Sequence, residues 1–145
     1  MDNIYLSRAF TAHQTAALIK DQLREAVKKY NAKLVIISDI AGFFLDKDVD
    51  EYEAQRIFSQ ATIYLSNFAR ETQTIVLATY LPHDDTARND ILHTLTCSKA
   101  SIVLSFRKTS YARQFVLEKH PYLPAGIAEV QSEDLTLGDF AEDNE

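Results

Sequence analysis

The sequence predicts an α/β fold with a three-layer core, in which a parallel sheet is followed by a C-terminal antiparallel hairpin. Two near-continuous apolar runs, residues 33–40 and 74–80, have the length of strands and the composition of strands buried on both faces of a parallel sheet. Segments with apolar residues every three or four positions precede and separate the runs, as amphipathic helices do. A later alternating segment follows a tight turn, which predicts the hairpin.

Local signals position the elements of the first two thirds of the chain. Residues 4–9 are predicted to form a first short strand. Thr11 and Gln14 have the spacing of a capping box, and the apolar face that follows predicts a helix that ends at about Asn31. A second helix is predicted from about residue 51 to 71. Residues 88–97 are open to two interpretations, a short helix or a mobile loop.

The last third of the chain predicts antiparallel structure. Strands over residues 101–107 and 111–120 flank a short turn, residues 120–126 form a proline-limited connection, and residues 127–130 form a final short strand. Cys97 is predicted to be a small buried apolar residue. The aromatic residues expected in the core are Phe43, Phe44, Phe58, Phe68 and Phe106.

Composition predicts an ordinary soluble domain. The chain has 145 residues, 46% hydrophobic and 25% charged, and no apolar run approaches the roughly 18 residues that cross a bilayer. The N-terminus lacks the basic and apolar regions of a signal peptide. The single cysteine, Cys97, excludes an intramolecular disulfide and a cysteine-based zinc site. We therefore expect a reducing, cytoplasmic setting.

The net charge of −6 is concentrated at the C-terminus. Residues 132–145 hold six of the 21 acids and no base, which leaves 15 acids against 15 basic residues over 1–131. We predict one domain over 1–131 and an acidic, disordered tail over 132–145. The tail is either a solubilising end or a regulatory, DNA-mimicking segment. DNA binding by this chain alone is expected to be weak or absent, because the electrostatic attraction to phosphate is small.

Four segments occur in an order similar to that of a known family. They are NIYLSRAFTAHQ (3–14), KLVIISDIAGFF (33–44), EAQRIFSQATIYLSNFAR (53–70) and ARQFVLEKHPYLPAG (112–126). Together they resemble the C-terminal half of the RecA-like ATPase core of archaeal RadA recombinases and their RadB paralogs. The resemblance covers about residues 3–131 and implies a RecA-like partial core with a role in DNA recombination and repair.

The resemblance implies nucleotide-site positions at four residues. Ser38 and Asp39 follow the segment that resembles the Walker B strand, in the reverse of the family's Asp-Ser order. Pro121 and Pro124 lie in the segment that resembles a cap over a neighbour's nucleotide. Two interpretations of Asp39 stay open: a Mg²⁺ ligand, or a polar strand end that caps the next turn.

The phosphate-binding motif of an ATPase is missing from the chain. A P-loop needs glycines followed by Lys and Ser/Thr, and none of Gly42, Gly126 and Gly138 has that context. We therefore expect no ATPase activity from the chain alone, and ATP with Mg²⁺ only together with a partner. The alternatives are an ATPase half-site completed in trans, and a RecA-like signalling or interaction module unrelated to recombination.

Partner binding is the remaining expectation. The resemblance places Tyr5, Ser7 and Leu18 where the family binds a Phe-x-x-Ala segment of a partner. The alternative is that these residues form an edge of the core with no binding role. An open edge of the parallel sheet predicts a homo-oligomer. Arg88 is expected to be solvated, and the sequence His-Asp-Asp at 83–85 is either a solvated loop or a weak cation site.

Overall fold

The computed structural model describes residues 3–109 and 112–131, so the predicted acidic tail lies outside the described residues. The chain divides into two compact units, residues 1–100 and 101–145. The first contains a parallel two-stranded sheet and the second an antiparallel three-stranded sheet, which confirms the α/β class. Within the described ranges, no helix has the length and apolar character needed to cross a membrane.

The first unit alternates helices and strands. Its elements are α1 (Ala12–Ala17), a π-helical turn (Leu18–Gln22), α2 (Leu23–Tyr30), β1 (Leu34–Ile37), a 3₁₀ turn (Gly42–Leu45), α3 (Glu51–Thr72), β2 (Ile75–Ala78) and α4 (Ala87–Lys99). The second unit contains β3 (Val103–Lys108), β4 (Ala112–Lys119) and β5 (Gly126–Gln131).

The first helical segment begins at the predicted capping box. The Thr11 hydroxyl accepts a hydrogen bond from the Gln14 amide, and Gln14 Oε1 accepts one from the Phe10 amide at 2.9 Å. The helix then runs through the π-helical turn, which the apolar spacing does not predict. It ends at Asn31, whose φ of 49° reverses the helical path. Asparagine is among the few residues with a side chain that readily adopt this left-handed conformation.

Residues 87–99 form a helix, which decides between the two interpretations of residues 88–97. The Thr86 hydroxyl accepts from the Asn89 amide and caps its first turn. Leu92 is fully buried, so the helix packs on the core. The longer helix α3 is capped in the same way by Asp50, whose carboxylate accepts from the Glu53 amide.

The core of the first unit lies between the helices and one face of the sheet. Phe44 and Phe58 meet edge to face with ring centroids 5.0 Å apart, and both are fully buried. The buried cluster comprises Ala12, Ala16, Ile19, Ile40, Ala41, Phe44, Ile57, Phe58, Ala61, Leu65 and Leu92. The core prediction is wrong for Phe43 and Phe106, which are 40% and 70% exposed, and right for Phe44, Phe58 and Phe68.

The parallel sheet is covered on one face only. β1 pairs with β2 in register from Leu34 opposite Ile75 to Ile37 opposite Ala78. Ile37 and Val76 pack against the buried cluster. The other face exposes Leu34, Ile36, Ile75 and Leu77. The predicted burial on both faces is therefore wrong, because the helices of this unit supply one covering layer rather than two.

The predicted strand over residues 4–9 is also wrong. These residues are not assigned to a strand, and the parallel sheet has two strands instead of three. A strand is stabilised by a partner, and this segment makes its contact through a side chain instead: Tyr5 stacks on Tyr30 at the end of α2, with ring centroids 3.7 Å apart.

The second unit confirms the hairpin and extends it. β3 and β4 pair antiparallel, and part of the turn between them lies outside the described residues. The final strand, β5, pairs with the other edge of β4, so the strand order is β3-β4-β5. Across the sheet, Phe106 lies opposite Phe115, which lies opposite Ala128.

Candidate functional site

The loops that follow β1 and β2 meet at the carboxyl edge of the parallel sheet. Backbone hydrogen bonds continue the pairing past the strands, from the Thr79 amide to the Ile37 carbonyl and from the Ile40 amide to the Thr79 carbonyl, both 2.9 Å. In open α/β sheets, ligand sites lie at this edge. The side chains at this edge therefore form the candidate functional site.

Asp39 ends β1 through its own backbone conformation. Its φ is 48°, in the left-handed region that Asp and Asn tolerate better than most residues. Its amide donates to the Thr79 hydroxyl at 2.8 Å, and its carbonyl accepts from the Gly42 amide at 3.2 Å. The residue therefore turns the chain out of the sheet and starts the next turn.

The Asp39 carboxylate already has protein partners. His83 Nε2 lies 2.9 Å from Oδ1, and the Leu81 amide lies 3.5 Å from the same oxygen. The two side chains are only 22% and 24% exposed for Asp39 and His83. A Cβ at Gly42 would lie 2.5 Å from Asp39 Oδ2, so the glycine leaves room for the carboxylate.

Tyr80 lies beside the Asp39–His83 pair. Its hydroxyl lies 2.6 Å from Asn89 Oδ1, to which it donates. Its ring meets those of His83 and His93 edge to face, with centroids 6.0 and 5.1 Å away. Burial raises the pKa of the phenol to about 12, and the Asp39 carboxylate adds to the shift. Tyr80 is thus a neutral hydrogen-bond donor that fastens α4 to the carboxyl edge.

Two further sequence predictions change at the neighbouring helix α4. Cys97 is half-buried rather than a core residue, and its Sγ lies 3.6 Å from His93 Nε2, one helical turn away. Arg88 is half-buried rather than solvated, because its Nη1 donates to the Val49 carbonyl at 3.1 Å. Its Nε and Nη2 are buried and have no hydrogen-bond partner among the described residues. Arg88 therefore joins α4 to the loop before α3.

At the carboxyl edge, protein groups already engage the carboxylate that is predicted as a possible Mg²⁺ ligand. Mg²⁺ prefers several oxygen ligands and waters in octahedral geometry, whereas the Asp39 carboxylate is paired with a histidine. Over residues 3–109 and 112–131, no group of three or more His, Cys, Asp or Glu side chains is arranged to hold a metal ion. Ser38, at the end of the outer sheet face, is exposed. Asp39 therefore has the contacts expected of a polar strand end, and its role as a metal ligand stays a prediction.

The other predicted site residues lie elsewhere. Pro121 and Pro124 are exposed in the connection between β4 and β5 of the second unit. His120 also fixes that connection, because its Nδ1 accepts from the amides of Tyr122 and Leu123 at 3.1 and 2.9 Å. The prolines therefore act together with a side-chain cap in shaping this turn.

The residues predicted to dock a peptide differ in their surroundings. Tyr5 is 56% exposed and held by its stack on Tyr30. Ser7 is exposed, whereas Leu18 is half-buried in the π-helical turn. Docking of a Phe-x-x-Ala segment at these residues stays a prediction.

An acidic cleft of about 290 Å³ lies beside the start of α1 and α3. It is lined by Thr11, Ala12, His13, Phe43, Asp46, Asp48, Val49, Asp50 and Glu53. Four carboxylates line it against one histidine, so its charge disfavours phosphate.

Sequence reasoning missed His83 and Gly42. His83 was predicted to belong either to a solvated loop or to a weak cation site, and Gly42 was considered only as a candidate P-loop glycine. One signal could have found the histidine, since residues that follow neighbouring parallel strands meet at one edge. No protein-family model matches the chain, and no curated protein matches it either.

Proposed function

We propose that the chain is a RecA-like, ATPase-derived domain that lacks ATPase activity on its own and acts through protein contacts in DNA recombination and repair. The recombination role rests on the resemblance of residues 3–131 to the RadA family. The three-layer RecA-like core is part of the same proposal, with the described parallel sheet and its helices as two of the layers.

The observation that carries the proposal is the Asp39–His83 pair. In an ATPase of this type, the acidic residue after the Walker B strand faces Mg²⁺ and water. Here the carboxylate lies 2.9 Å from His83 Nε2 and shares its Oδ1 with the Leu81 amide. The pair joins the two loops at the place where nucleotide hydrolysis would need a carboxylate free to bind Mg²⁺ or water. This contact supports a domain that keeps an ATPase-like fold without ATPase activity.

The uncovered face of the parallel sheet supports action through protein contacts. Parallel sheets are normally covered on both faces, and here Ile36 and Ile75 are 63% and 66% exposed. A contiguous aliphatic patch on a protein surface commonly marks an interaction site. The acidic cleft and the neutral balance of residues 1–131 favour a protein over a nucleic acid as the partner.

The same uncovered face supports a second candidate, an ATPase half-site completed in trans. A partner that carried a P-loop would contribute the missing covering layer together with the phosphate cradle. In that case ATP would bind only in the complex. A signalling or interaction module outside recombination is the third candidate, and it shares the protein-contact chemistry with the first.

Calorimetry with Mg-ATP tests the first candidate. The purified chain is expected to bind no nucleotide at micromolar concentrations and to release no phosphate, whereas micromolar affinity with turnover would overturn the proposal. Sedimentation with a RadA-like partner, with and without ATP, tests the second candidate, which fails if the two proteins do not assemble. A gel shift at low salt adds the third arm, because tight single-strand binding would contradict a role through protein contacts alone.

A further inference from the structure

The antiparallel sheet of the second unit has two sides of different composition. Residues opposite one another in the register, and those two positions apart along a strand, point to the same side of the sheet. Three rows across β3, β4 and β5 make up one side, which we call the phenylalanine face: Leu104–Leu117–Gly126, Phe106–Phe115–Ala128 and Lys108–Arg113–Val130.

The other side of the sheet mixes apolar and polar side chains. Val116 and Ile127 lie opposite each other on it, and Ile127 is 64% exposed. The row beside them is polar, and there the Gln114 side-chain amide donates to the Glu129 carboxylate across two strands. An apolar cover on this side would take those polar groups out of water, which is costly. The phenylalanine face is therefore the better match for an apolar cover.

The phenylalanine face keeps much of its apolar surface in water. Phe106 is 70% exposed, Phe115 is 40% exposed, and Leu104 and Val130 are more than half exposed. The two phenylalanine rings meet edge to face at the centre, with centroids 5.2 Å apart. A contiguous apolar surface of this kind commonly marks a contact with another molecule.

The basic end of the phenylalanine face does not require an acidic occupant. Lys108 and Arg113 lie opposite each other in the register, and both already interact with other groups. The other seven residues of the face have no charge. The surface to be covered is therefore apolar, and a second copy of the chain offers an equal apolar surface.

Charge selects one orientation for such a copy. Two identical faces can pack about a two-fold axis that runs either along the strands or across them. An axis along the strands places Arg113 over Arg113 of the second copy, and like charges at close range repel. An axis across the strands, at the level of the two phenylalanines, instead places the basic row of each copy over the Leu104–Leu117–Gly126 row of the other.

The gap at Gly126 fits the same orientation. A Cβ added at Gly126 would meet nothing within 4 Å, so this end of the row leaves space above β5. With the axis across the strands, β5 lies over β5 of the second copy, and Val130 of that copy faces the gap. The aliphatic stems of the two basic residues then cover the two leucines, while their charged ends stay in water.

The size of the phenylalanine face predicts a weak contact. Its two phenylalanines and two most exposed aliphatic residues offer roughly 300 Å² of apolar surface per copy. A two-fold contact then buries on the order of 600 Å² of apolar surface, whereas stable interfaces bury about 1,200–2,000 Å² in total. The expected dimer is therefore reversible and forms at micromolar or higher concentration.

We propose that a second copy of the chain covers the phenylalanine face, in a two-fold contact that places the strands of the two sheets antiparallel. The contact goes beyond the proposed function, because it concerns self-association through the second unit and needs neither a nucleotide nor an unlike partner. Another protein would reach this face only in competition with the dimer.

Sedimentation of the full chain at increasing concentration tests the contact. We expect a reversible equilibrium between monomer and dimer, and Phe106→Ser should weaken dimerisation at least tenfold. Ile127→Ser removes an exposed apolar group from the other side of the same sheet, so it is the matched control and should leave dimerisation unchanged. A chain that stays monomeric up to its solubility limit would overturn the proposal. Equal weakening by the two variants would also overturn it, as would a dimer that is lost in Ile36→Thr and kept in Phe106→Ser.

Opposite charges at Ala128 test the orientation without removing a ring. With the axis across the strands, Ala128 lies close to Ala128 of the second copy, so Ala128→Lys and Ala128→Glu should each abolish dimerisation through like-charge repulsion. An equimolar mixture of the two folded variants should restore a dimer that contains one copy of each. A mixture that stays monomeric would overturn the proposed orientation, because an axis along the strands places Ala128 over Phe106 of the second copy instead.

Discussion

His83 Nε2 lies 2.9 Å from Asp39 Oδ1, across 44 residues of sequence. This contact joins the loop after β1 to the loop after β2, beyond the last backbone pairing between them. It therefore links the two loops at the carboxyl edge of the parallel sheet. The contact also offsets the backbone strain at Asp39, whose φ is 48°.

Substitutions at Asp39 should separate the charge from the backbone conformation. Asp39→Asn keeps a residue that tolerates positive φ and should lower the free energy of unfolding by about 1 kcal/mol through the weakened hydrogen bond. Asp39→Ala loses both features and should cost roughly 1 kcal/mol more. Urea denaturation measures the difference. Asp84→Ala, in the exposed loop, is the control, and equal losses for the two Asp39 variants would contradict the prediction.

A methyl group at residue 42 should act through Asp39. The Cβ in Gly42→Ala would lie 2.5 Å from Asp39 Oδ2 and would displace the carboxylate from His83. We expect a loss of about 1 kcal/mol in the wild-type background and a smaller loss in the Asp39→Ala background, since contacting residues are not additive. A double-mutant cycle from urea unfolding measures the coupling. Additive losses would show that Gly42 matters for another reason.

Tyr80 should make the protein sensitive to alkaline pH. Its folded pKa is raised from 10.0 to about 12, so the native state holds the phenolic proton more tightly than the unfolded chain does. The resulting stabilisation is complete below pH 10 and is lost as pH rises toward 12. Between these values the wild type should lose on the order of 1 kcal/mol more than Tyr80→Phe, after allowance for partial exposure. Urea titrations at pH 9.5 and about 11.5 check this, and parallel losses would refute it.

The buried phenylalanine pair should dominate the stability of the first unit. Phe58→Ala removes a fully buried ring that contacts Phe44, and it should cost about 3–5 kcal/mol through lost transfer energy and a cavity. Phe10→Ala removes a ring that is 68% exposed and should change stability by less than about 0.5 kcal/mol. Thermal or urea unfolding compares the two variants. Similar losses would mean that Phe10 is covered in solution.

Neighbouring isoleucines on β1 should behave oppositely. Ile36 lies on the uncovered face and Ile37 packs against the core. Ile36→Thr should leave stability nearly unchanged and should reduce binding of a hydrophobic dye, because it removes an exposed apolar group. Ile37→Thr should cost about 1–2 kcal/mol by placing a hydroxyl against apolar side chains. A large loss for Ile36→Thr would indicate that the outer face is already occupied.

The elements with local signals were predictable from sequence. The capping box at Thr11 and the apolar spacing predicted the first helical segment and α3 to within one or two residues at most ends, because these interactions connect residues three or four apart. The hairpin was predictable for the same reason. The π-helical turn at Leu18–Gln22 was not, since an apolar stripe does not reveal one extra residue per turn.

Features that depend on distant residues were not predictable. An apolar run predicts a strand, but it does not reveal whether one face or both will be covered, which is why the exposure of Ile36 was missed. Residues 4–9 have the composition of a strand, and the absence of a pairing neighbour cannot be read from them. At the site, Asp39 was found because of its position after an apolar run. Its partner His83 depends on a positive φ and a contact over 44 residues.

The register of the two sheets sets an order of assembly. Leu34 pairs with Ile75, 41 residues later, whereas Phe106 pairs with Phe115, nine residues later. Closing the longer loop costs more chain entropy before any contact forms, and such pairings fold slowly. We therefore expect amide protection to develop first in the hairpin and last between β1 and β2. A newly made chain would pass through a stage in which its aliphatic strands β1 and β2 are still unpaired. At that stage the chain would be most prone to aggregate and most dependent on a chaperone.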